Sequence, residues 1–573
     1  MTFLRGPLRS ISFLIGLSAI LFAAGVANHY YGELLLGQTE KDLAWGPTLF
    51  RILLALHGGL LIAISFRKKA QVTGKDHVPA NKERKVERIT SLVLTAMIAL
   101  SLVALLLRLW NLNSDLWIDE VFTLLDFVRK PLGEIVTSFP SQNQHMLFSI
   151  LGYASTGIFG ESSWSLRLPS VVFGLASIWA FFFLSTRLVG TKEALLGSLL
   201  MTVSYHHIWF SQNARGYMGL LLFTILATWF WFEALTTNKW KWWLGYTAAI
   251  VLGMWVHPTM AFVVAAHGIL HLIALIWPGL VDSAGDTPDP RVGWRPFAAW
   301  LLSVTVTLQL YALSLPEFLA VGLHEESKDS DWTNPIWVLT ESVQSLKIGF
   351  AGSAVLIFGG AFVVFGWIRL FKHNRRAALL MVLPALLAGV SMLLLGHNIW
   401  PRFFFFSMGF GLLTVIHGAV ELPKFIAGYL TTPRAGRQWM VSSAGVGFCL
   451  LIVIASLTTL PRNYAMPKQS FSAAKKYVEE HKKSGDQIVA VRLAGVVYGS
   501  YLEPYWRVVG SETELETIEK ENDRVWLIYT IPIEVKAFRP DLWQMIERDY
   551  EVVKVFPGTL SGGEVFVCQK KMN

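Results

Sequence analysis

The sequence predicts a mostly α fold: a polytopic membrane helical bundle of about thirteen transmembrane helices, followed by a small C-terminal extracytoplasmic α/β domain. Three observations carry this. Of the 573 residues, 53% are hydrophobic, only 16% are charged and the mean hydropathy is +0.47, a balance that a water-soluble enzyme does not have. The apolar residues fall into repeated runs, and a hydrocarbon core about 30 Å thick needs roughly 20 helical residues per crossing. Residues 461–573 hold 32 of the 89 charged side chains, so a polar tail follows an apolar body.

Taken in order, the runs begin near residues 10, 46, 89, 165, 193, 216, 242, 259, 297, 350, 377, 403 and 438. The first, about Ile11 to Ala27, follows Arg5 and Arg9 without a convincing cleavage site and reads as a retained helix rather than a signal peptide. Placing the N-terminus inside collects the basic loops on the cytoplasmic face. These are Arg67 to Arg88, Arg187 to Lys192, Lys239 to Lys241, Arg291 to Arg295, Lys372 to Arg376 and Lys424 to Arg437. The opposite face receives Glu33, Glu40, the segment from Asp115 to Glu134 and the acidic loop with Glu325, Glu326, Asp329 and Asp331. The organisation is then an N-terminal pair of helices with a basic loop (1–88), a membrane region including an outer loop at 110–164 (89–460), and the soluble tail (461–573). The net charge of +9 reports topology, and no nucleic acid partner is expected. Cys449 and Cys568 lie too far apart in the pattern to form a disulfide framework.

The stretch from His145 to Phe159 is short for a crossing, and a span there would invert every later loop, so it reads as an interfacial helix. In the tail, helical spacing at 471–483 precedes a strand at 487–491, a second strand at 525–529, a helix at 535–546, and apolar alternation at 551–556 and 564–568. Gly562-Gly563 reads as a hairpin turn. The tail carries no glycine-rich phosphate loop, and its expected role is to cover or shape a site on the outer face.

Polar residues concentrate at the outer helix ends. Asp119 and Glu120 follow Trp117 as adjacent carboxylates. Neighbours on a helix diverge by about 100°, so one of the two faces a reacting atom while the other holds an arginine or fixes the loop; the plain alternative is a solvated acidic pair at the membrane rim. A carboxylate in a partly dehydrated cleft can accept a proton. Asn143 and His145 come next; His145 either organises a substrate site, caps the following helix or, with further ligands, binds a metal. After Asn213, Arg215 enters an apolar stretch together with Tyr217. A guanidinium there requires an anion, either Asp119 or Glu120 or a lipid-linked phosphate, unless it snorkels to the surface. His257 at a His-Pro junction, His397 and Arg402 complete the set on the same face. One base with convergent cations suits transfer from a phosphate leaving group.

The segments Leu116-Trp-Ile-Asp119-Glu120, Asn143-Gln-His145-Met-Leu-Phe, Trp164-Ser-Leu-Arg-Leu-Pro169 with Gly174, Ser204 to Tyr217, and Pro401-Arg402-Phe403 together resemble the polytopic membrane glycosyltransferases of GT-C type. The resemblance is to the bacterial relatives of protein O-mannosyltransferases and lipid A aminoarabinose transferases, and it covers most of 89–460. It implies transfer of a sugar from a polyprenyl-phosphate donor to an extracytoplasmic glycan, lipid or protein acceptor, with inversion and no cofactor or metal. It makes Asp119 the base or acceptor-positioning group, Glu120 its companion in the catalytic motif, and His145, Arg215, Tyr217 and Arg402 the donor-phosphate or site-organising group. Asn143, Asn213, His257 and His397 are supporting positions. Phe403 stands where relatives often carry tyrosine, and Asn143-Gln-His145 where many have histidine followed by prolines. Two other readings fit the same residues: a translocase or export component for anionic glycolipids, and a non-catalytic envelope scaffold.

Overall fold

The computed structural model describes residues 6–37, 42–66, 90–283, 288–289, 292–322, 334–337, 340–341, 343–344, 353–430, 435–522, 524–560 and 562–571. The basic loop at 67–88, Glu40 and the acidic loop at 325–331 lie outside these residues.

A helix stands at each of the thirteen expected positions: Gly6–Gly25, Gly46–Phe66, Ser91–Leu109, Ser163–Leu188, Thr191–Thr202, Tyr217–Thr237, Trp240–Val256, Met260–Ile276, Arg295–Tyr311, Ser353–His373, Arg375–Leu394, Met408–Leu430 and Ala435–Leu457. Among the described residues, seven helices are long and apolar enough to cross a membrane, or up to eight if the bent pair Arg9–Gly25 and Tyr30–Leu36 forms one span. Four of the thirteen fall short of the roughly 20 residues a crossing needs: Thr191–Thr202, Trp240–Val256, Met260–Ile276 and Arg295–Tyr311, with 12, 17, 17 and 17 residues. Thr191–Thr202 has 12 residues, a rise of about 18 Å, and after Val203 the chain starts the separate helix Tyr205–Ser211. Met146–Phe159 has 14 residues and packs beside Ser163–Leu188, where the Ser155 hydroxyl donates to the Ser165 carbonyl at 2.6 Å.

The helices that carry the site are set by local chemistry. Ser162 and Ser165 exchange reciprocal hydrogen bonds, 3.3 and 3.1 Å, that start Ser163–Leu188, satisfying donors that a helix N-terminus leaves free. Gly174 on that helix lets the Ser211 segment approach: a Cβ there would lie 2.4 Å from the Ser211 Oγ. Helices Ser163–Leu188 and Tyr217–Thr237 are mostly buried inside the bundle, while Ser91–Leu109 and Gly46–Phe66 present most of their surface outward, as lipid-facing helices do.

In the tail, five strands form one sheet in the order β2-β1-β3-β5-β4: β1 Gln487–Val491, β2 Arg507–Val509, β3 Val525–Thr530, β4 Tyr550–Phe556 and β5 Val565–Lys570. β1 pairs in parallel with β2 and β3; β5 is antiparallel to β3 and β4. All six residues of β3 are buried, which fits a central strand covered on both faces. The single helix expected at 535–546 is two, Pro532–Phe538 and Pro540–Asp549, because Pro540 lacks the N–H that would continue the first. β2 and the helix Glu512–Glu521 are additional elements of the tail. Cys449 and Cys568 are both free and buried. The helix Leu493–Val497 of the tail packs against Ile118–Phe122, so the tail meets the rest of the chain at the acidic motif.

Candidate active site

Asp119 and Glu120 open the short helix Ile118–Phe122, and the helical turn sends their side chains into different surroundings. Glu120 points inward and is fully buried. Arg167 grips it in a two-pronged pair, Nε to Oε1 at 2.8 Å and NH2 to Oε2 at 2.6 Å. The Ala214 N–H donates to Oε1 at 2.7 Å and the Trp117 N–H to Oε2 at 3.2 Å. Burial alone would raise the Glu120 carboxyl, but Arg167, Lys468 and these hydrogen bonds outweigh it and hold the group below the usual carboxylate range. Arg167 spends its remaining N–H groups on the carbonyls of Leu112, Ser114 and Asp115. Both Glu120 oxygens are therefore occupied. The carboxylate thus ties together the helix that carries Arg167, the segment at Ala214 and its own loop.

Asp119 faces the other way. Its Oδ2 lies 3.5 Å from Arg402 NH1 and 4.0 Å from Arg215 NH2, is buried, and accepts no hydrogen bond among the described residues. Arg215 is 2% exposed and held by Asn143, through the carbonyl at 3.2 Å and Oδ1 at 2.9 Å, and by the Thr123 hydroxyl at 3.3 Å. Its anionic partner is Asp119; Glu120 belongs to Arg167. Arg402, at the start of the 3-10 turn Pro401–Ser407, faces Asp119 and the Tyr217 hydroxyl and lies over the rings of Trp400 at 4.7 Å and Trp117 at 5.8 Å.

His145 accepts the Gly216 N–H on Nδ1 at 2.8 Å. A neutral ring then carries its proton on Nε2, and that atom is buried without a partner among the described residues. Burial first, then Arg215, His257 and Arg402, push the His145 ring well below the ordinary histidine range, so it is a neutral donor at physiological pH. The approach requires glycine at 216, where a Cβ would lie 2.4 Å from His145 Nδ1. His257 stacks edge-on to His145 at 4.7 Å and is engaged through Nδ1 by the Thr259 hydroxyl at 2.8 Å. Asn213 Oδ1 takes the Trp117 indole N–H at 3.1 Å. His397 lies in the turn after Arg375–Leu394, its amide bonded to the Met392 carbonyl at 3.0 Å; among the described residues no contact joins its ring to Asp119. Among them, too, no group of three or more His, Cys, Asp or Glu converges as metal ligands do.

Of the expected positions, Arg215 and Arg402 flank Asp119 directly; Asn143 and Tyr217 contact these arginines, His145 and His257 pack against Tyr217, and Asn213 holds the Trp117 indole. The arrangement offers one acceptor oxygen beside two guanidinium groups and a neutral imidazole donor, with aromatic walls. Sequence reasoning passed over Lys468 and Gln469, which reach this place from the tail linker, because nothing in a linker's composition marks it as buried.

Residues 146–283 match the family described as dolichyl-phosphate-mannose-protein mannosyltransferase. Over that stretch, about a quarter of its length, the chain is similar to this family. The chain is 23% identical over 160 residues to YkcB of Bacillus subtilis (strain 168), named as a candidate mannosyltransferase; the match spans 24% of this chain and 22% of that protein, about a fifth of its length. Among solved structures it is similar to ArnT from Cupriavidus metallidurans in the apo state, with 13% identity, TM-score 0.48 and coverage of 83% of this chain and 97% of that one. It is also similar to the oligosaccharyltransferase AglB from Archaeoglobus fulgidus in complex with an inhibitory peptide and a dolichol-phosphate, with 13% identity, TM-score 0.44 and coverage of 83% and 74%.

Proposed function

We propose that the chain transfers a sugar from a polyprenyl-phosphate donor to an acceptor hydroxyl at the outer face of the plasma membrane, with inversion. The N-terminus is then cytoplasmic and the C-terminal domain periplasmic or extracytoplasmic. The observation that carries this reading is the buried, unbonded Oδ2 of Asp119 beside Arg402 and Arg215. The description of the family matched by residues 146–283 supports a polyprenyl-phosphate donor.

The residues divide the chemistry between them. Asp119 takes the proton of the acceptor hydroxyl as its oxygen attacks the anomeric carbon. The bond from that carbon to the phosphate oxygen breaks, and the polyprenyl phosphate leaves as a monoester carrying one more negative charge than the diester it came from. Arg215 and Arg402 stabilise that growing charge where water is scarce. A single displacement inverts the anomeric centre. His145 donates from Nε2 to a sugar or phosphate oxygen, and Glu120 with Arg167 fixes the loop.

The test is incubation of the purified protein with a panel of polyprenyl-phosphate sugars and candidate glycan, lipid and protein acceptors, read by mass spectrometry. A new glycosidic bond is expected. Lipid movement without covalent product would overturn the transferase reading in favour of a translocase.

A further inference from the structure

Between the helix Leu460–Ala465 and the helix Phe471–His481 runs a short linker, and its central residues are buried although the composition is polar: Lys468 is 6% and Gln469 0% exposed. Lys468 donates from Nζ to the Gln212 carbonyl at 2.5 Å, sits over the Trp209 ring at 5.2 Å and lies 4.0 Å from Glu120 Oε1. Gln469 accepts the Ile118 N–H on Oε1 at 2.8 Å and donates from Nε2 to the Thr530 hydroxyl at 2.9 Å and the Gly563 carbonyl at 3.1 Å. One side chain therefore bridges the acidic loop to the end of β3 and to the turn that precedes β5.

The Ile118 amide begins the helix that presents Asp119 at the next position, and a first-turn N–H has no partner within its own helix. Ile118 is 2% exposed, so water does not readily replace Gln469, and a buried donor left unbonded is costly. Gln212 stands three residues before Arg215. Adjacent linker residues thus fix the backbone of the base-bearing helix and the backbone that leads to its neighbouring guanidinium. Three further bonds brace the same contact: Asp115 accepts from the Ser472 amide at 2.8 Å and hydroxyl at 2.7 Å, and Thr559 accepts the Trp209 indole N–H at 2.9 Å.

We infer that Lys468 and Gln469 are positioning residues that set the spacing of Asp119 and Arg215, making the C-terminal domain an integral part of the active site rather than a cover over it. This rests on the transferase reading above for its kinetic consequence and on geometry alone for the clamp.

Two measurements on the full-length detergent-solubilised protein separate these. For Gln469→Ala and Lys468→Met, kcat for sugar transfer is expected to fall about tenfold or more, with the donor KM changed by less than about threefold. Ser470→Ala, which removes only a bond to the Pro557 carbonyl within the tail, is expected to keep wild-type kcat. Independently of activity, amide hydrogen exchange in the peptide spanning 116–122 is expected to speed up about tenfold in Gln469→Ala, while β1 and β3 exchange as in the wild type. Unchanged exchange at 116–122 overturns the clamp. Faster exchange with unaltered kcat overturns the positioning role. If the wild type forms no product with any donor, the transferase reading fails and the kinetic role falls with it, while exchange still decides the clamp.

Discussion

Arg167 and Glu120 form a fully buried, two-pronged ion pair, with side-chain exposure of 0% on both sides and a closest approach of 2.6 Å. The pair joins the helix Ser163–Leu188 to the loop that carries Asp119, and the Ala214 N–H on the same carboxylate adds the segment before Arg215. It is the anchor against which Asp119, one residue earlier, is left free to face the opposite side.

Breaking that anchor is expected to damage folding before chemistry. Glu120→Ala strands a buried guanidinium, a loss of about 3–5 kcal/mol by the usual behaviour of buried pairs. The expected result is a large fall in thermal midpoint and in the yield of monodisperse protein, with Arg167→Ala behaving alike.

Asp119→Asn is expected to do the reverse. The amide keeps the volume and removes the proton acceptor, so kcat should drop by roughly 10²–10⁴ while the thermal midpoint and polyprenyl-phosphate binding are retained. Normal turnover by the stably inserted variant would remove Asp119 from the role of base.

Arg215→Ala and Arg402→Ala are expected to weaken use of the lipid donor, with kcat/KM lower by roughly 10²–10³ each. A donor titration checks this; a curve superimposable on wild type would sever that arginine from the phosphate.

Lys468 gives a pH signature. Burial, partly offset by Glu120, brings its ammonium down to about 7, whereas in the unfolded chain it titrates near the ordinary value of about 10.4. Below about pH 7 both states are protonated and the folded state bears the full cost of burying the charge. Above it the unfolded state binds more protons, so this residue's contribution makes stability rise with pH until the unfolded lysine also titrates. Thermal midpoints measured from pH 6 to 10 should show a component rising with pH in the wild type that is missing from Lys468→Met. Parallel curves for the two proteins would contradict the depressed value. Glu120 acts at the other end: its folded value is lowered, so its stabilisation is present above the unfolded carboxyl range and is lost as pH falls through the folded value.

The sequence by itself determined the helical membrane body, the polar tail with strands at 487–491 and 525–529, and the polar helix-end residues from which the candidate site is drawn. Apolar run length and alternation are local properties, imposed by the thickness of the bilayer and the two faces of a sheet, so they are written residue by residue. The tertiary structure decided the division of labour. That Glu120 is consumed by Arg167 while Asp119 stays open, that Arg215 pairs with Asp119, and that Lys468 and Gln469 reach the loop from about 350 positions away depend on contacts between distant segments. Adjacent carboxylates are chemically alike in a list of residues; only packing, which removes water from one and aims guanidinium groups at the other, makes them different.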